Sequence, residues 1–189
     1  MNGRSLFEKY SHLIEIIVTV ERLFPKKIRE IQLKRIRNKD GKIAMLRRFI
    51  LLKTLAKKIG DNVAIFPGVY FENIDNLIIG SNVSIHQMCY IDAEGGIEIG
   101  DNVSIAHRST VLSSNHSYED TTIPIKYQKM ILEKTVLDND IWIGCGCTVL
   151  AGVRIGMGCV VGANSTVTHN LEANSIAVGS PAKIVRKRT

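Results

Sequence analysis

A branched aliphatic residue recurs at every sixth position between residues 137 and 167, and this period constrains the fold more than any other feature of the sequence. An α-helix does not bring successive sixth residues onto one face, because six residues make about 1.67 turns. A single strand does not run for about thirty residues. The period therefore predicts a solenoid of short strands, in which each hexapeptide sends one aliphatic side chain into a shared core. These positions are Leu137, Ile143, Val149, Ile155, Val161 and Val167.

A 20-residue repeat precedes this stretch and supports the same interpretation. Three hexads make one triangular turn, and two further residues lengthen one corner of each early turn. Glycine and asparagine at a repeated corner favour turns with positive φ. Stacked at about 4.8 Å, successive turns would align equivalent residues in ladders. The three copies are Ile59-Gly-Asp-Asn-Val-Ala-Ile65, Ile79-Gly-Ser-Asn-Val-Ser-Ile85 and Ile99-Gly-Asp-Asn-Val-Ser-Ile105.

The repeat is interrupted after Val111. The 20-residue rhythm places the next turn near residue 119, but the next hexad opens at Leu137. We therefore predict a protruding loop over residues 117–134, leaving the solenoid directly after Asn115 and His116. Long loops on a rigid scaffold are often functional.

Positive charge is concentrated in the N-terminal arm, residues 1–58. This arm holds 16 of the 25 Lys and Arg residues but only 5 of the 18 Asp and Glu residues, whereas residues 59–189 hold 9 and 13. Any polyanionic partner is therefore expected to meet the arm. The simpler interpretation is that these side chains line the solvated faces of amphipathic helices. Both interpretations remain open.

Apolar residues at helical spacing predict helices throughout the arm. The first ends before Pro25, because proline disrupts a continuing helix. The second spans 28–36, with Ile28, Ile31 and Ile36 on its apolar side and Leu33 at the edge. The third spans 43–55 and mixes apolar residues with Arg47, Arg48 and Lys53.

Two roles for these helices follow from their pattern. They can cover the open end of the solenoid, which needs a cap, or lie on an anionic membrane surface or glycan. The sequence contains neither an apolar run of about 18 residues nor a signal peptide. We expect a cytoplasmic protein, with the inner face of the membrane as the alternative peripheral location, and no nucleic-acid partner.

Three of the four cysteines occupy one position of the hexad. Cys89, Cys147 and Cys159 lie four residues after an opening aliphatic, where other turns carry valine. This position predicts reduced thiols inside the solenoid, because free cysteine behaves as a small apolar residue. Cys145 and Cys147 are spaced too closely for the usual zinc pair, and no second pair accompanies them, so no metal site is predicted.

Several motifs resemble those of hexapeptide-repeat acyltransferases. They are the hexads, the long loop after a histidine, Ile141-Trp-Ile-Gly144 and Val178-Gly-Ser-Pro-Ala-Lys183. Over about residues 59–186 the chain is similar to the sugar O-acetyltransferase branch, which includes galactoside, maltose, nodulation-factor and many polysaccharide acetyltransferases.

The resemblance implies a mainly β fold, a left-handed parallel β-helix over 59–175. The basic helical arm 1–58 would precede it, and a basic segment 176–189 would follow. It further implies a homotrimer with active sites between neighbouring subunits. Acetyl-CoA would be the donor, and a sugar or surface polysaccharide hydroxyl would be the acceptor.

The same resemblance assigns His116 as the general base. Imidazole suits the removal of a hydroxyl proton during attack on a thioester. The backbone N–H of Cys145 would stabilise the oxyanion. No serine or cysteine nucleophile is required, so direct transfer in a ternary complex is expected.

The remaining site residues are carried over by position. His86 stands where the galactoside enzymes have asparagine, and this departure argues against a simple galactoside acceptor. Glu94 stands where those enzymes have aspartate. The acceptor side would comprise His86, Glu94, Asn115 and Tyr118. The coenzyme side would comprise Ala106, Trp142, Cys145, Ala163, Thr168, His169, Lys183 and Arg186.

Other functions compete with this hypothesis. Within the family, the acceptor could be the amino group of an amino sugar or nucleotide sugar; outside it, the chain could be a non-catalytic trimeric scaffold. A β-helical zinc carbonic anhydrase needs three histidines, two of them five residues apart. The five histidines here include no such pair; they are His12, His86, His107, His116 and His169.

Overall fold

A computed structural model describes residues 3–189, with side chains from residue 10 onward. Three helices come first, α1 (Gly3–Arg22), α2 (Lys26–Ile36) and α3 (Lys42–Leu55). Short 3₁₀ turns lie at Ile74–Asn76 and Ile125–Tyr127. The strands are β1 (Lys58–Ile59), β2 (Ala64–Ile65), β3 (Tyr70–Glu72), β4 (Leu77–Ile79), β5 (Ser84–Ile85), β6 (Tyr90–Asp92), β7 (Ile97–Ile99), β8 (Ser104–Ile105), β9 (Thr110–Leu112), β10 (Ser114–His116), β11 (Met130–Leu132), β12 (Thr135–Leu137), β13 (Trp142–Ile143), β14 (Thr148–Val149), β15 (Arg154–Ile155), β16 (Val160–Val161), β17 (Thr166–Val167), β18 (Ser175–Val178) and β19 (Lys183–Lys187).

Parallel pairing arranges most of these strands as the three sides of a solenoid. Side 1 has the order β1-β4-β7-β12-β15, side 2 the order β2-β5-β8-β13-β16-β18 and side 3 the order β3-β6-β9-β14-β17. A bridge from Ile155 to Leu171 continues side 1 into the last turn. The predicted mainly β, parallel β-helical fold is confirmed.

The interior is a stack of aliphatic layers. On side 2, Ile85 pairs in register with Ile105, and Ile143 pairs with Ile105 and Val161. All four of these side chains are fully buried. The hexad period therefore marks the core positions, as predicted.

The interior also holds three thiols. Cys89, Cys147 and Cys159 are buried, and all four cysteines are free. Burial raises the pKa of Cys89 to about 11 and raises the pKa of Cys147 and Cys159. The prediction of reduced, buried cysteines at this hexad position is confirmed.

The corner between sides 1 and 2 is a ladder of left-handed residues. Asn62, Asn82 and Asn102 have φ of +54°, +59° and +59°. Asparagine tolerates this region because its short amide bonds locally. The Asn62 Nδ2 donates to the Asn82 Oδ1 at 2.9 Å, so the ladder is bonded between turns.

The insertion after side 3, predicted as a protruding loop over 117–134, is a hairpin whose base is an antiparallel strand pair. The first strand, β10, begins at Ser114 and pairs antiparallel with β11. Gln128 fixes the tip, since its amide donates to the backbone oxygens of Asp120 and Ile123. The sequence did not predict β10 and β11, because β10 becomes a strand only by pairing with β11.

The helices pack against the first turn of the solenoid through α3, which contacts β1 and β2, while α1 and α2 each pack on α3. Arg48 on α3 is 1% exposed. Its guanidinium donates to the carbonyl oxygens of Ile65 at 2.8 Å, Lys39 at 2.7 Å and Ile36 at 3.1 Å. The expectation of a solvated basic face is therefore wrong at Arg48, which ties α3 to the solenoid and to the end of α2.

The predicted apolar side of α2 also needs correction. Ile28 and Ile31 are exposed, whereas Leu33 packs against the core cluster. The contacts with α3 orient α2 so that Leu33 faces inward, although the sequence spacing placed Leu33 at the edge of the apolar side. Within residues 3–189, none of the helices has the length and apolarity needed to cross a membrane.

Candidate active site

The corner between sides 2 and 3 gathers the first group of candidate residues. His86 and Ala106 directly follow β5 and β8, and Cys145 and Ala163 lie two residues after β13 and β16. Close stacking requires glycine at position 144, because an added Cβ there would lie 2.6 Å from the Ala163 nitrogen. The repeat therefore presents small residues and backbone at this edge.

The backbone amide of Cys145 is the chemically relevant group at this corner. The neighbouring amides are engaged, since Gly144 N–H donates to Val161 O at 2.8 Å and Gly146 N–H to His107 O at 2.9 Å. Among residues 3–189, no acceptor receives the Cys145 N–H. Ala163 and His107 have the same turn geometry and likewise donate no backbone hydrogen bond within that range. An unpaired N–H is thus a property of the turn.

His86 lies one turn before Ala106 in the same ladder. Its ring stacks on Phe66 with centroids 4.5 Å apart and an angle of 7° between the planes. Burial, followed by repulsion from His107, lowers the pKa of His86. Sequence analysis missed Phe66, although the 20-residue repeat places it directly beneath His86.

The second group lies at the corner between sides 3 and 1. His116 ends β10, opposite Met130, and its exposed ring makes no hydrogen bond with any side chain or backbone group that the structure describes. Asn115 pairs with Ile131, and Tyr118 is exposed just beyond the strand.

Asp92 anchors the base of the hairpin and was missed by sequence analysis. Its carboxylate accepts hydrogen bonds from the Ser114 hydroxyl at 2.8 Å and from the Glu94 amide at 3.2 Å. It therefore connects the hairpin to the half-buried candidate Glu94. An aspartate directly after Ile91, in a turn below His116, was the available signal.

The coenzyme candidates lie at three places. Thr168 and His169 lie at the corner between sides 3 and 1, with the Thr168 hydroxyl 2.8 Å from His169 Nδ1. Trp142 is exposed on side 2. Lys183 and Arg186 are exposed on β19, which pairs antiparallel with β18 at the end of that side. Among the side chains described from residue 10 onward, no cluster suitable for a metal ion is found.

The structure does not bring the two halves of the proposed chemistry together within one chain. Cys145 and His116 lie at opposite ends of side 3. The three residues of β9 alone extend about 10 Å along this side, whereas a reacting centre must lie within hydrogen-bonding distance of both groups. One chain alone therefore presents two incomplete half-sites.

Comparison with known proteins identifies the repeat. Residues 134–169 match the model for the bacterial transferase hexapeptide (six repeats). Over that range the chain is similar to the bacterial hexapeptide-repeat transferases. A probable acetyltransferase of Mycobacterium tuberculosis is 43% identical over 74 residues, which cover 39% of this chain and 25% of that protein. The chain thus aligns with only about a quarter of that relative's length.

Solved structures of hexapeptide-repeat acetyltransferases match over a much longer range. A galactoside acetyltransferase in complex with coenzyme A has a TM-score of 0.77 and 28% identity, covering 87% of this chain and 81% of that one. A hexapeptide-repeat acetyltransferase of Vibrio cholerae O1 biovar eltor, complexed with acetyl coenzyme A, has a TM-score of 0.75 and 26% identity, covering 86% and 88%.

Proposed function

We propose that this hexapeptide-repeat protein transfers an acetyl group from acetyl-CoA to a hydroxyl of a sugar or surface polysaccharide. The observation that carries the proposal is the likeness to the galactoside acetyltransferase bound to coenzyme A, which extends over 87% of the chain. The acetyl-CoA complex of the Vibrio cholerae protein supports the same donor. The sugar acceptor rests on the galactoside relative.

His116 is the proposed general base. Its imidazole would accept the proton of the acceptor hydroxyl while that oxygen attacks the thioester carbonyl carbon. Its exposed position, free of hydrogen bonds within the described part of the chain, leaves both ring nitrogens available. The proton would then pass to the departing coenzyme A sulfur as the C–S bond breaks, which regenerates the neutral imidazole.

The Cys145 N–H is the proposed oxyanion donor. Attack on the carbonyl carbon places a negative charge on its oxygen, and a fixed backbone donor stabilises that charge. The bonded amides of Gly144 and Gly146 hold the Cys145 N–H in place. Because the donor is backbone, replacement of the Cys145 side chain should leave this contribution intact.

The coenzyme would lie along side 2 and its corner with side 3. Ala106 and Ala163 leave room for the pantetheine arm, and Trp142 offers an exposed aromatic face. The exposed Lys183 and Arg186 can pair with its phosphates. Thr168 and His169 would contribute from a neighbouring chain's corner between sides 3 and 1.

We further propose a homotrimer, because a neighbour can supply the half-site that each chain lacks. The corner bearing Cys145 and His86 would face the partner's corner bearing His116, Asn115 and Tyr118. Symmetric closure of such heterologous contacts gives a ring. The separation of His116 from Cys145 along side 3 supports this arrangement.

The decisive experiment incubates the protein with acetyl-CoA and candidate glycans and measures the masses of the products by mass spectrometry. His116→Ala should lower the rate by about 10² or more, the usual contribution of a general base. His12→Ala, a second exposed histidine on α1, should match the wild type. Near-full activity of His116→Ala would show that His116 is not the general base. Acetyl transfer to amino sugars alone would show that the acceptor is an amino group rather than a hydroxyl.

A second arm of the same experiment mixes His116→Ala chains with Lys183→Ala/Arg186→Ala chains after reversible dissociation. If each site combines both protomers, about a quarter of the sites regain all three side chains. Activity should therefore rise well above that of either variant alone. Absence of any recovery would place the complete site within one chain.

A further inference from the structure

We propose that α1 and α2 dock on an anionic membrane surface through an exposed row of large apolar side chains, here called the apolar stripe. These side chains are between 41% and 81% exposed. Large apolar side chains that recur at helical spacing and stay exposed on two consecutive helices indicate an interaction site, whereas single scattered ones would need no explanation. The stripe comprises Leu13, Ile16, Val20, Leu23, Phe24, Ile28 and Ile31.

Helix α1 has two apolar faces. Ile14 and Val18 are buried and join the core cluster. Leu13, Ile16 and Val20 recur at helical spacing on a different face and remain exposed. The inner face alone accounts for the packing of α1 on α3, so the outer face is not required to hold the helix in place.

Helix α2 continues the stripe. None of its residues is fully buried. Phe24 lies in the turn between the helices, where its carbonyl accepts a hydrogen bond from Arg29 Nε at 3.1 Å. Ile28 and Ile31 follow at helical spacing and are exposed. Two consecutive helices thus present large aliphatic side chains to solvent.

Basic side chains surround the stripe on α2. Lys27 lies four residues before Ile31, and Lys34 and Arg35 lie three and four residues after it, so all three are neighbours of Ile31 on the helix surface. These cations are exposed, and no ion pair to them is found among the side chains described from residue 10 onward. By contrast, Lys26 on the same helix pairs with Asp75 and Glu30.

This combination selects the occupant. A helix with an apolar face bordered by lysine and arginine lies in the interface of an anionic bilayer, with the apolar side chains in the acyl boundary and the cations at the headgroups. A second copy of the same stripe would bring Lys27, Lys34 and Arg35 toward equivalent cations. Like charges would then oppose association.

Docking in this way would bring the candidate site near the membrane. Helix α3 covers the first turn, and the hairpin bearing His116 leaves the third turn. Two turn spacings amount to about 10 Å along the solenoid, and the packing of α1 and α2 on α3 adds a helix spacing of about 8 to 10 Å. An acceptor presented at the membrane surface would then lie within reach; this consequence rests on the proposed function, whereas docking does not.

Co-sedimentation with vesicles tests docking without any assay of activity. The wild type should bind vesicles of phosphatidylcholine mixed with phosphatidylglycerol and bind pure phosphatidylcholine much more weakly. Lys27→Glu/Lys34→Glu should lower partitioning at least twentyfold, since each basic residue near an anionic surface contributes about fivefold. Leu13→Ser/Ile16→Ser/Val20→Ser should lower it about tenfold or more.

Matched controls lie on the hairpin and solenoid. Lys126→Glu/Lys129→Glu and Ile123→Ser/Ile125→Ser/Met157→Ser change equally exposed residues and should bind as the wild type does. Raising the salt from about 0.1 M to about 1 M, which shortens the Debye length from about 10 Å to about 3 Å, should release the wild type from the vesicles.

Three results would overturn docking. The first is binding to neutral vesicles that equals binding to anionic vesicles. The second is binding at the wild-type level by both Lys27→Glu/Lys34→Glu and Leu13→Ser/Ile16→Ser/Val20→Ser. The third is binding of an anionic polysaccharide with no binding of vesicles. Sedimentation velocity of the stripe variants separates the remaining case. If they lose assembly while vesicle binding persists, the stripe is a contact between subunits and the proposal fails.

Discussion

The solenoid and the helices bury their side chains by different rules. In the solenoid the interior layers are aliphatic, with Ile85, Ile105 and Ile143 repeating at one position. The helices instead bury a glutamate and an arginine, Glu21 and Arg48, while they leave large apolar residues in solvent. Repetition along one axis makes burial in the solenoid a property of position, whereas burial in the helices depends on how α3 packs on each neighbour.

The largest expected effect tests the solenoid side of this comparison. Ile105→Ala should lower the free energy of unfolding by about 3 to 4 kcal/mol. The change removes most of a fully buried side chain, and the stacked layers cannot collapse to fill the cavity that it leaves. The control, Ile28→Ala, makes the same change on the exposed face of α2 and should stay within about 0.5 kcal/mol of wild type. Urea unfolding at fixed protein concentration measures both, and equal losses would contradict the distinction.

Arg48 tests the helical side. Arg48→Ala should cost about 2 to 3 kcal/mol, because the carbonyl groups of Ile65, Ile36 and Lys39 lose their donors in a buried setting. Arg48→Met keeps most of the volume and removes the buried charge, so it should cost less. Burial lowers the pKa of Arg48, which indicates how unfavourable the charge is there. Equal costs for the two variants would show that the side-chain volume contributes little and would assign the effect to the lost hydrogen bonds.

The smallest effect is confined to alkaline pH and to the solenoid. Burial raises the pKa of Cys89 from 9.0 to about 11. The thiol form is thus favoured in the folded state, so its contribution is fully present below pH 9 and is lost as the pH rises toward 11. The loss should approach about 2 kcal/mol. Cys89→Ala should reduce the slope of unfolding free energy against pH across that range, while the buried Cys147 and Cys159 keep their own contribution. An unchanged slope would contradict this prediction.

The hexad period predicted the solenoid well, because the position of a residue within its hexad determines whether its side chain is buried. Ile105 and Asn102 could be assigned to core and corner from spacing and turn chemistry alone. The hairpin could not be predicted in the same way, since β10 becomes a strand only by pairing with β11 across thirteen intervening residues. Arg48 was misplaced because its partners are carbonyl groups on three other segments.

The candidate site was likewise only partly predictable from the sequence. Family motifs assigned His116 and Cys145; in the structure Cys145 lies at the corner between sides 2 and 3, and His116 ends β10 of the hairpin. Their separation along side 3 was not visible in the sequence, because it depends on which corners the two residues occupy. Phe66 contacts His86, and Asp92 contacts the base of the hairpin. The 20-residue repeat could have predicted both contacts, but only if equivalent residues of successive turns had been aligned explicitly.

The hairpin enters and leaves the solenoid at almost the same point. The amide of Glu133 donates to the carbonyl of Ser113 at 2.9 Å, and Leu137 then pairs with Ile99 in register. An appendage closed at its root can grow, shrink or be exchanged during evolution without disturbing the layers beneath it. The hairpin can therefore diversify while the stacked layers of the solenoid stay constant.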